Sequence, residues 1–219
     1  MNNDYLVGTI YKQVNELQTA QCLKTSEGVI TESVAIMRYL SRISNNQLYG
    51  NDDYERGLID QWLDFYSADI FPTFSLFSYQ CHGVFMPQVK QCKKTMELGQ
   101  AMFKSKLDSM NKYIFEGKRT YLVGNSLSLA DIALACALEL PFAKAYGEKE
   151  RKPAKATVDW LVNLSKENWF ISVYGRLRLC SKPLPVPQLP DEEEVGEVTS
   201  KKKADAASKK EDNSKNTKK

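Results

Sequence analysis

Histidine is almost absent from this chain of 219 residues: His82, in Gln80-Cys81-His82-Gly83, is the only one. An imidazole acting as a base or metal ligand needs partners, and none stands near it in the sequence, so His82 reads as a surface or capping residue. The chain also lacks His-Glu-x-x-His, Gly-x-Ser-x-Gly and a Gly-rich phosphate loop. The zinc-hydrolase, serine-hydrolase and nucleotide-cradling signatures are therefore missing. The five cysteines, Cys22, Cys81, Cys92, Cys136 and Cys180, form no Cys-x-x-Cys and no close pair. An odd, scattered set speaks for reduced thiols and against a disulfide framework or zinc site. No apolar run is long enough to span a bilayer, and Met1-Asn2-Asn3-Asp4 lacks the basic-then-apolar opening of a secretory signal. The expectation is a cytoplasmic protein with no metal, no cofactor and no membrane association. A net charge of +3 is too small to argue for nucleic acid by itself.

What is present is a chain with 42% hydrophobic residues, enough to bury a core, in three compositional stretches. Residues 1–46 are mixed. Gln21 to Thr25 and Val29 to Thr31 predict two short strands around a tight turn at Ser26-Glu27-Gly28. A helix should follow from Glu32, with Ala35, Ile36, Tyr39, Leu40 and Ile43 on one face. Residues 47–182 are helical. Ile59, Trp62, Leu63, Tyr66 and Ile70 form one stripe, which Pro72 should kink or end near Phe71. Val89, Cys92, Met96, Leu98, Met102, Leu107, Met110 and Ile114 mark a long second helix, and further helices are expected over 129–146, 157–165 and 168–177. Trp62, Trp160 and Trp169 fall on apolar faces and read as core, with Trp62 the best placed for partial exposure at an interface.

Residues 183–219 have a different chemistry. After the Pro-rich run from Lys182, Asp191 to Glu197 carries five acidic side chains, and Lys201 to Lys219 carries eight lysines with no large apolar residue. Such a composition cannot offset its ordering entropy and predicts a disordered tail. The lysines suggest a solvated tail or weak attraction to RNA, without base stacking, since no aromatic interleaves them.

The most informative segment is Leu127-Ser128-Leu129-Ala130-Asp131-Ile132. Ser128 and Asp131 make a capping box: the hydroxyl accepts from the Asp131 N–H and the carboxylate reaches back to the Ser128 N–H, with Leu127 and Ile132 as a hydrophobic staple. With Tyr121-Leu122-Val123-Gly124 before it and Trp160 and Trp169-Phe170 after it, this segment resembles the C-terminal helical domain of glutathione-transferase-like proteins. Residues from Gly28 to Leu40 resemble the last hairpin strand and following helix of that family's thioredoxin-like half. Gln61-Trp62-Leu63-Asp64-Phe65, Ala68-Asp69-Ile70-Phe71-Pro72 and Arg178-Leu179-Cys180-Ser181-Lys182-Pro183 resemble the branch formed by the elongation factor 1B gamma subunit and the accessory proteins of aminoacyl-tRNA synthetases. The resemblance runs from about residue 18 to 183.

The resemblance implies a mostly α protein, a glutathione-transferase-like helical bundle with a truncated thioredoxin-like α/β part. It also implies a vestigial glutathione site at Glu32 and Ser33, where a hydroxyl and free N–H groups at a helix start suit a carboxylate; the plainer reading is that these residues only cap the helix. The family's cis-proline is replaced by Gln21, and a non-proline cis bond would cost about 3 kcal/mol, so that loop should differ. The first strand–helix–strand unit, which carries the family's catalytic side chain, is expected to be largely absent or remodelled, so no catalytic residue is assigned. The resulting expectation is a non-catalytic interaction module of the translation machinery. Its partners would be elongation factor 1B subunits or synthetases with similar domains, in a homo- or heterodimer contacted through Tyr39, Arg56 and Trp62. The alternatives are a glutathione-binding transferase and a tRNA-binding cofactor acting through the Lys-rich tail.

Overall fold

A computed structural model describes residues 21–44, 46–81 and 93–184. The expectations for residues 1–20, for Val89, Cys92 and His82, for the Cys81 side chain, and for the Pro-rich, acidic and Lys-rich stretches from 185 onward lie outside them. Among the described residues the protein is mostly helical, with one two-stranded hairpin. It divides into two compact units, one built on residues up to 66 together with 119–136, the other on 67–118 together with residues from 137 onward. No helix of the described residues is long and apolar enough to cross a membrane.

In the first unit, β1 (Cys22–Lys24) and β2 (Val29–Thr31) pair antiparallel, with Cys22 opposite Thr31 and Lys24 opposite Val29. The turn is held by Thr25, whose Oγ1 accepts from the amides of Glu27 and Gly28 at 3.2 and 3.1 Å and donates to the Gly28 carbonyl at 2.9 Å. A threonine hydroxyl thus braces the turn, next to Gly28. Helix α1 (Ser33–Ile43) follows, then a 3-10 turn (Gln47–Tyr49) and α2 (Asp53–Asp64). Helix α2 starts cleanly because Asp52 accepts from the Glu55 amide at 2.9 Å, while the Glu55 carboxylate reaches back to the Asn51 amide at 2.8 Å. Its inner stripe is Ile59, Trp62 and Leu63, all buried.

Pro72 does not end the helical path. A π-helical segment (Phe65–Ile70) precedes it, and α3 (Phe71–Cys81) begins at its door, so Pro72 falls in a first turn, where a missing N–H is tolerated. The Thr73 hydroxyl donates to the carbonyls of Asp69 and Ile70 at 2.7 and 3.0 Å, occupying acceptors near the proline.

In the second unit, α3 packs against α4 (Lys93–Gly117), and α4 against α7 (Lys155–Leu164). The buried face of α4 is Gly99, Phe103, Leu107, Met110 and Ile114. Two of the expected core residues, Leu98 and Met102, are instead 56% and 41% exposed. The reason is Gly99: α3 and α4 approach so closely there that an added Cβ would lie 2.5 Å from Leu76 Cβ and 3.2 Å from the Thr73 carbonyl. The contact is centred on a residue that hydrophobicity does not mark. Gly99→Ala is therefore expected to destabilise the protein by about 1–3 kcal/mol in urea denaturation. An unchanged midpoint would mean that the two helices separate at no cost.

Helix α5 (Leu129–Leu140) stops six residues short of the expected end. A second π-helical segment (Pro141–Ala145) continues it and closes with the Tyr146 amide donating to the Pro141 carbonyl at 2.7 Å. Phe77, Phe103, Phe142 and Tyr146 form an aromatic cluster, with Phe103 edge-on to Tyr146 at 5.3 Å. Burial, aided by the charges of Asp108 and Glu150, pushes the Tyr146 phenol up to about 12. Short α6 (Glu148–Arg151), a 3-10 turn (Lys152–Ala154), α7 and α8 (Asn168–Tyr174) complete the unit. Helix α8 ends three residues before the expected 177, at Gly175, whose φ of 72° and ψ of −150° are open to glycine but costly for other residues.

The chain after Gly175 is pinned by Arg151, which is only 6% exposed. One guanidinium nitrogen donates to the carbonyls of Phe142 (3.1 Å) and Tyr146, and the other to the Cys180 carbonyl at 2.8 Å. Backbone bonds from Cys180 to Phe142, Glu148 to Ser181 and Leu184 to Lys144 reinforce this clasp.

Candidate functional site

The first unit holds Glu32, Ser33, Tyr39, Arg56 and Trp62. Glu32 stands at the start of α1 with φ 69° and ψ 125°, a backbone conformation that costs a non-glycine residue about 1–3 kcal/mol. Its carbonyl accepts the Ile36 amide at 2.9 Å, but its exposed side chain makes no capping bond. The first turn of α1 beyond Glu32 contains no acidic residue. Ser33, half-buried, follows directly.

Helices α1 and α2 are tied together by groups that the sequence reading passed over. Arg38 Nε donates to Asp60 Oδ1 at 2.7 Å, and its Nη2 lies 3.8 Å from Asp64 Oδ1. The hydroxyl of buried Tyr49 donates to both Asp60 oxygens, at 2.9 and 2.8 Å. Burial, the bond to Asp60 and the charge of Asp60 raise the Tyr49 phenol above its usual value, against the opposing Arg38 and Arg42. One signal was legible: Arg38 and Arg42 stand four apart on α1, and Asp60 and Asp64 four apart on α2.

The three expected contact residues fare differently. Tyr39 is half-buried on α1. Arg56 is partly exposed and pairs with Asp53 at 2.8 Å. Trp62 is only 6% exposed, its ring edge-on to Phe65 at 5.4 Å, which corrects the idea that it reaches an interface. It lies one turn from Ile59 and beside Leu63, and the large indole fills the core on that face.

The carboxylate half of the expected capping box is present, with a wider role, while the Ser128 hydroxyl donates to the Asp131 carboxylate. Asp131 is fully buried, and its Oδ2 accepts from the Ser128 amide at 3.0 Å and from the Ser128 hydroxyl at 2.9 Å. Its Oδ1 accepts from the Leu122 amide at 2.8 Å. The bonds from the hydroxyl and from Leu122 were not foreseen. One carboxylate thus caps α5 and anchors the preceding Tyr121-Leu122-Val123-Gly124 segment. Cys22, Cys136 and Cys180 are half-buried thiols, and no group of three His, Cys, Asp or Glu among the described residues converges to hold a metal.

Residues 83–168 match the family of the glutathione S-transferase C-terminal domain. The chain is 30% identical over 204 residues to a probable elongation factor 1-gamma 1 of Arabidopsis thaliana, covering 87% of this chain and 48% of the relative. It is 34% identical over 135 residues to elongation factor 1-gamma 1 of Oryza sativa, covering 61% of this chain and 31% of the relative. The chain thus spans half or less of the length of these curated relatives. Its fold is similar to the crystal structure of the GST-like domain of elongation factor 1-gamma from Saccharomyces cerevisiae, with a TM-score of 0.69 at 22% identity, over 82% of this chain and 83% of that one. A glutathione S-transferase from Rhodospirillum rubrum has the same fold at a TM-score of 0.61 and 18% identity, over 87% of this chain and 80% of that one. Residues 83–168 thus carry the match to the glutathione S-transferase C-terminal domain, in a chain that over most of its length is similar to elongation factor 1-gamma proteins.

Proposed function

We propose that this protein is a docking module of the translation elongation machinery, which binds a partner protein and performs no thiol chemistry of its own. The supporting observation is the 30% identity to an elongation factor 1-gamma over 87% of the chain. In this reading residues 1–46 are the reduced thioredoxin-like part, 47–182 the helical domain and 183–219 a charged tail. The partners are other elongation factor 1B subunits, with synthetases bearing similar domains as the alternative. The contact face is on α1 and the start of α2, where Leu40, Ile43 and Tyr54 are 43%, 60% and 76% exposed near Tyr39 and Arg56. Such apolar and aromatic exposure is what a protein partner would bury. The tail would add only weak, salt-sensitive attraction to tRNA.

Affinity capture from cytoplasmic extract, read by mass spectrometry, tests this with the full chain and residues 1–190 in parallel. Recovery of elongation factor 1B subunits or synthetases by both is the expected result. Recovery of neither group by either one would sink the docking reading.

A glutathione-binding transferase is the second reading, and the geometry of Glu32 favours it. A strained backbone at an uncapped helix start is where a ligand carboxylate would bind. Retention on immobilised glutathione that is lost in Ser33→Ala, with turnover of a chromogenic electrophile, would support it over the first.

A further inference from the structure

The end of α1 opposite Glu32 borders a polar cavity of about 700 Å³. The residues around it include Arg42, Arg56, Asn46, Gln47, Asn51 and Asp53. Its frame is fixed. Tyr49 is buried and held by Asp60, as described above. Asn46 Oδ1 accepts from the Ser41 hydroxyl at 2.7 Å and the Leu48 amide at 3.1 Å. Gly50, at φ 81°, brings the loop so close to α2 that a Cβ would lie 3.0 Å from Glu55 Cβ.

The charges are unevenly matched. Arg38 and Arg56 each pair with a carboxylate, at 2.7 and 2.8 Å. Arg42 enters no ion pair among the described residues; its guanidinium lies 4.9 Å from the centre of the Tyr49 ring. That stacking orients the guanidinium and leaves its N–H groups available. Arg56 is shared with Asp53, whose side chain is fully exposed, and solvent screens such a pair so that it holds the guanidinium only weakly. An entering anion of higher charge can displace it. The Gln47 amide adds a neutral donor and acceptor at the rim.

We propose that this cavity binds a small phosphate monoester, with Arg42 as the principal ligand for the phosphate and Arg56 as the second. Two guanidiniums beside one cavity suit a dianion with three acceptor oxygens. The polar character of the residues around the cavity suits a hydroxylated body in preference to an aromatic or lipid one, and the volume admits a sugar phosphate. The site involves α1, α2 and the loop between them; it shares Arg56 with the proposed docking face but does not rest on the elongation-factor reading.

Calorimetric titration of the full chain with ribose 5-phosphate, inorganic phosphate and ribose tests it. Saturable binding of ribose 5-phosphate with a Kd of about 1 mM or tighter is expected. Inorganic phosphate should compete, and ribose should give no saturable heat. Arg42→Gln should weaken binding by about tenfold or more, and Arg56→Gln by less. Lys149→Gln, an equal change of charge in the second unit, should leave it unchanged. Thermal unfolding of each variant, expected near that of the parent because Arg42 is exposed, verifies folding. No saturable binding, unchanged affinity in Arg42→Gln, or equal weakening by Lys149→Gln would each overturn the proposal.

Discussion

Replacing Arg151 with methionine is expected to lower stability by about 3–5 kcal/mol and to expose the segment after Gly175 to trypsin. Methionine fills much of the arginine stem's volume but supplies no donor. The carbonyls of Phe142, Tyr146 and Cys180 then lose guanidinium bonds in a buried setting. The segment itself carries Arg176 and Arg178, each followed by leucine and each a trypsin site, whereas Lys182 precedes Pro183 and resists cleavage. Arg151→Lys should fall between the two, because one ammonium cannot span both sides of the fork. Urea denaturation and a trypsin time course measure the two effects. A loss below about 1 kcal/mol with unchanged cleavage would show that the backbone bonds to Phe142, Ser181 and Lys144 suffice.

The second large effect is expected at Asp131. Asp131→Ala should cost about 3–5 kcal/mol, because it strands the buried amides of Ser128 and Leu122 together. Asp131→Asn should cost about 2 kcal/mol, since the amide nitrogen must face one of these donors. Ser128→Ala removes only the hydroxyl and should cost about 1 kcal/mol. Thermal or urea unfolding of the three variants checks the order. Equal losses in all three would mean that Asp131 does no more than complete the capping box, and that the Leu122 bond adds nothing.

These two residues also show what the sequence could reveal. Asp131 was visible because a capping box is local: four consecutive positions contain the whole instruction. The bond to Leu122 spans nine residues and has no such signature. Arg151 was invisible for the same reason, since its acceptors are main-chain carbonyls, which every residue type carries. The hairpin and α1 were legible from alternation, turn residues and helical spacing. The phase of α4 was misjudged at Leu98 and Met102 because a glycine, not an apolar side chain, marks its closest contact. Trp62 was correctly placed on an apolar face, but exposure cannot be read from residue type. In the candidate site, Glu32 and Ser33 were found through resemblance, while the Arg38–Asp60–Tyr49 linkage needed three segments to meet in space.

The two π-helical segments affect how this chain can be compared with its relatives. Each fits one more residue per turn than an α-helix does, so a side chain beyond it is rotated by about 100° from the position that an unbroken α-helix would give it. A relative lacking the wide turn matches this chain in one frame before Phe65 and in another after Ile70, and likewise around Pro141–Ala145. An ungapped comparison would then pair inward-facing residues with outward-facing ones, and count as divergence what is an insertion of a single residue.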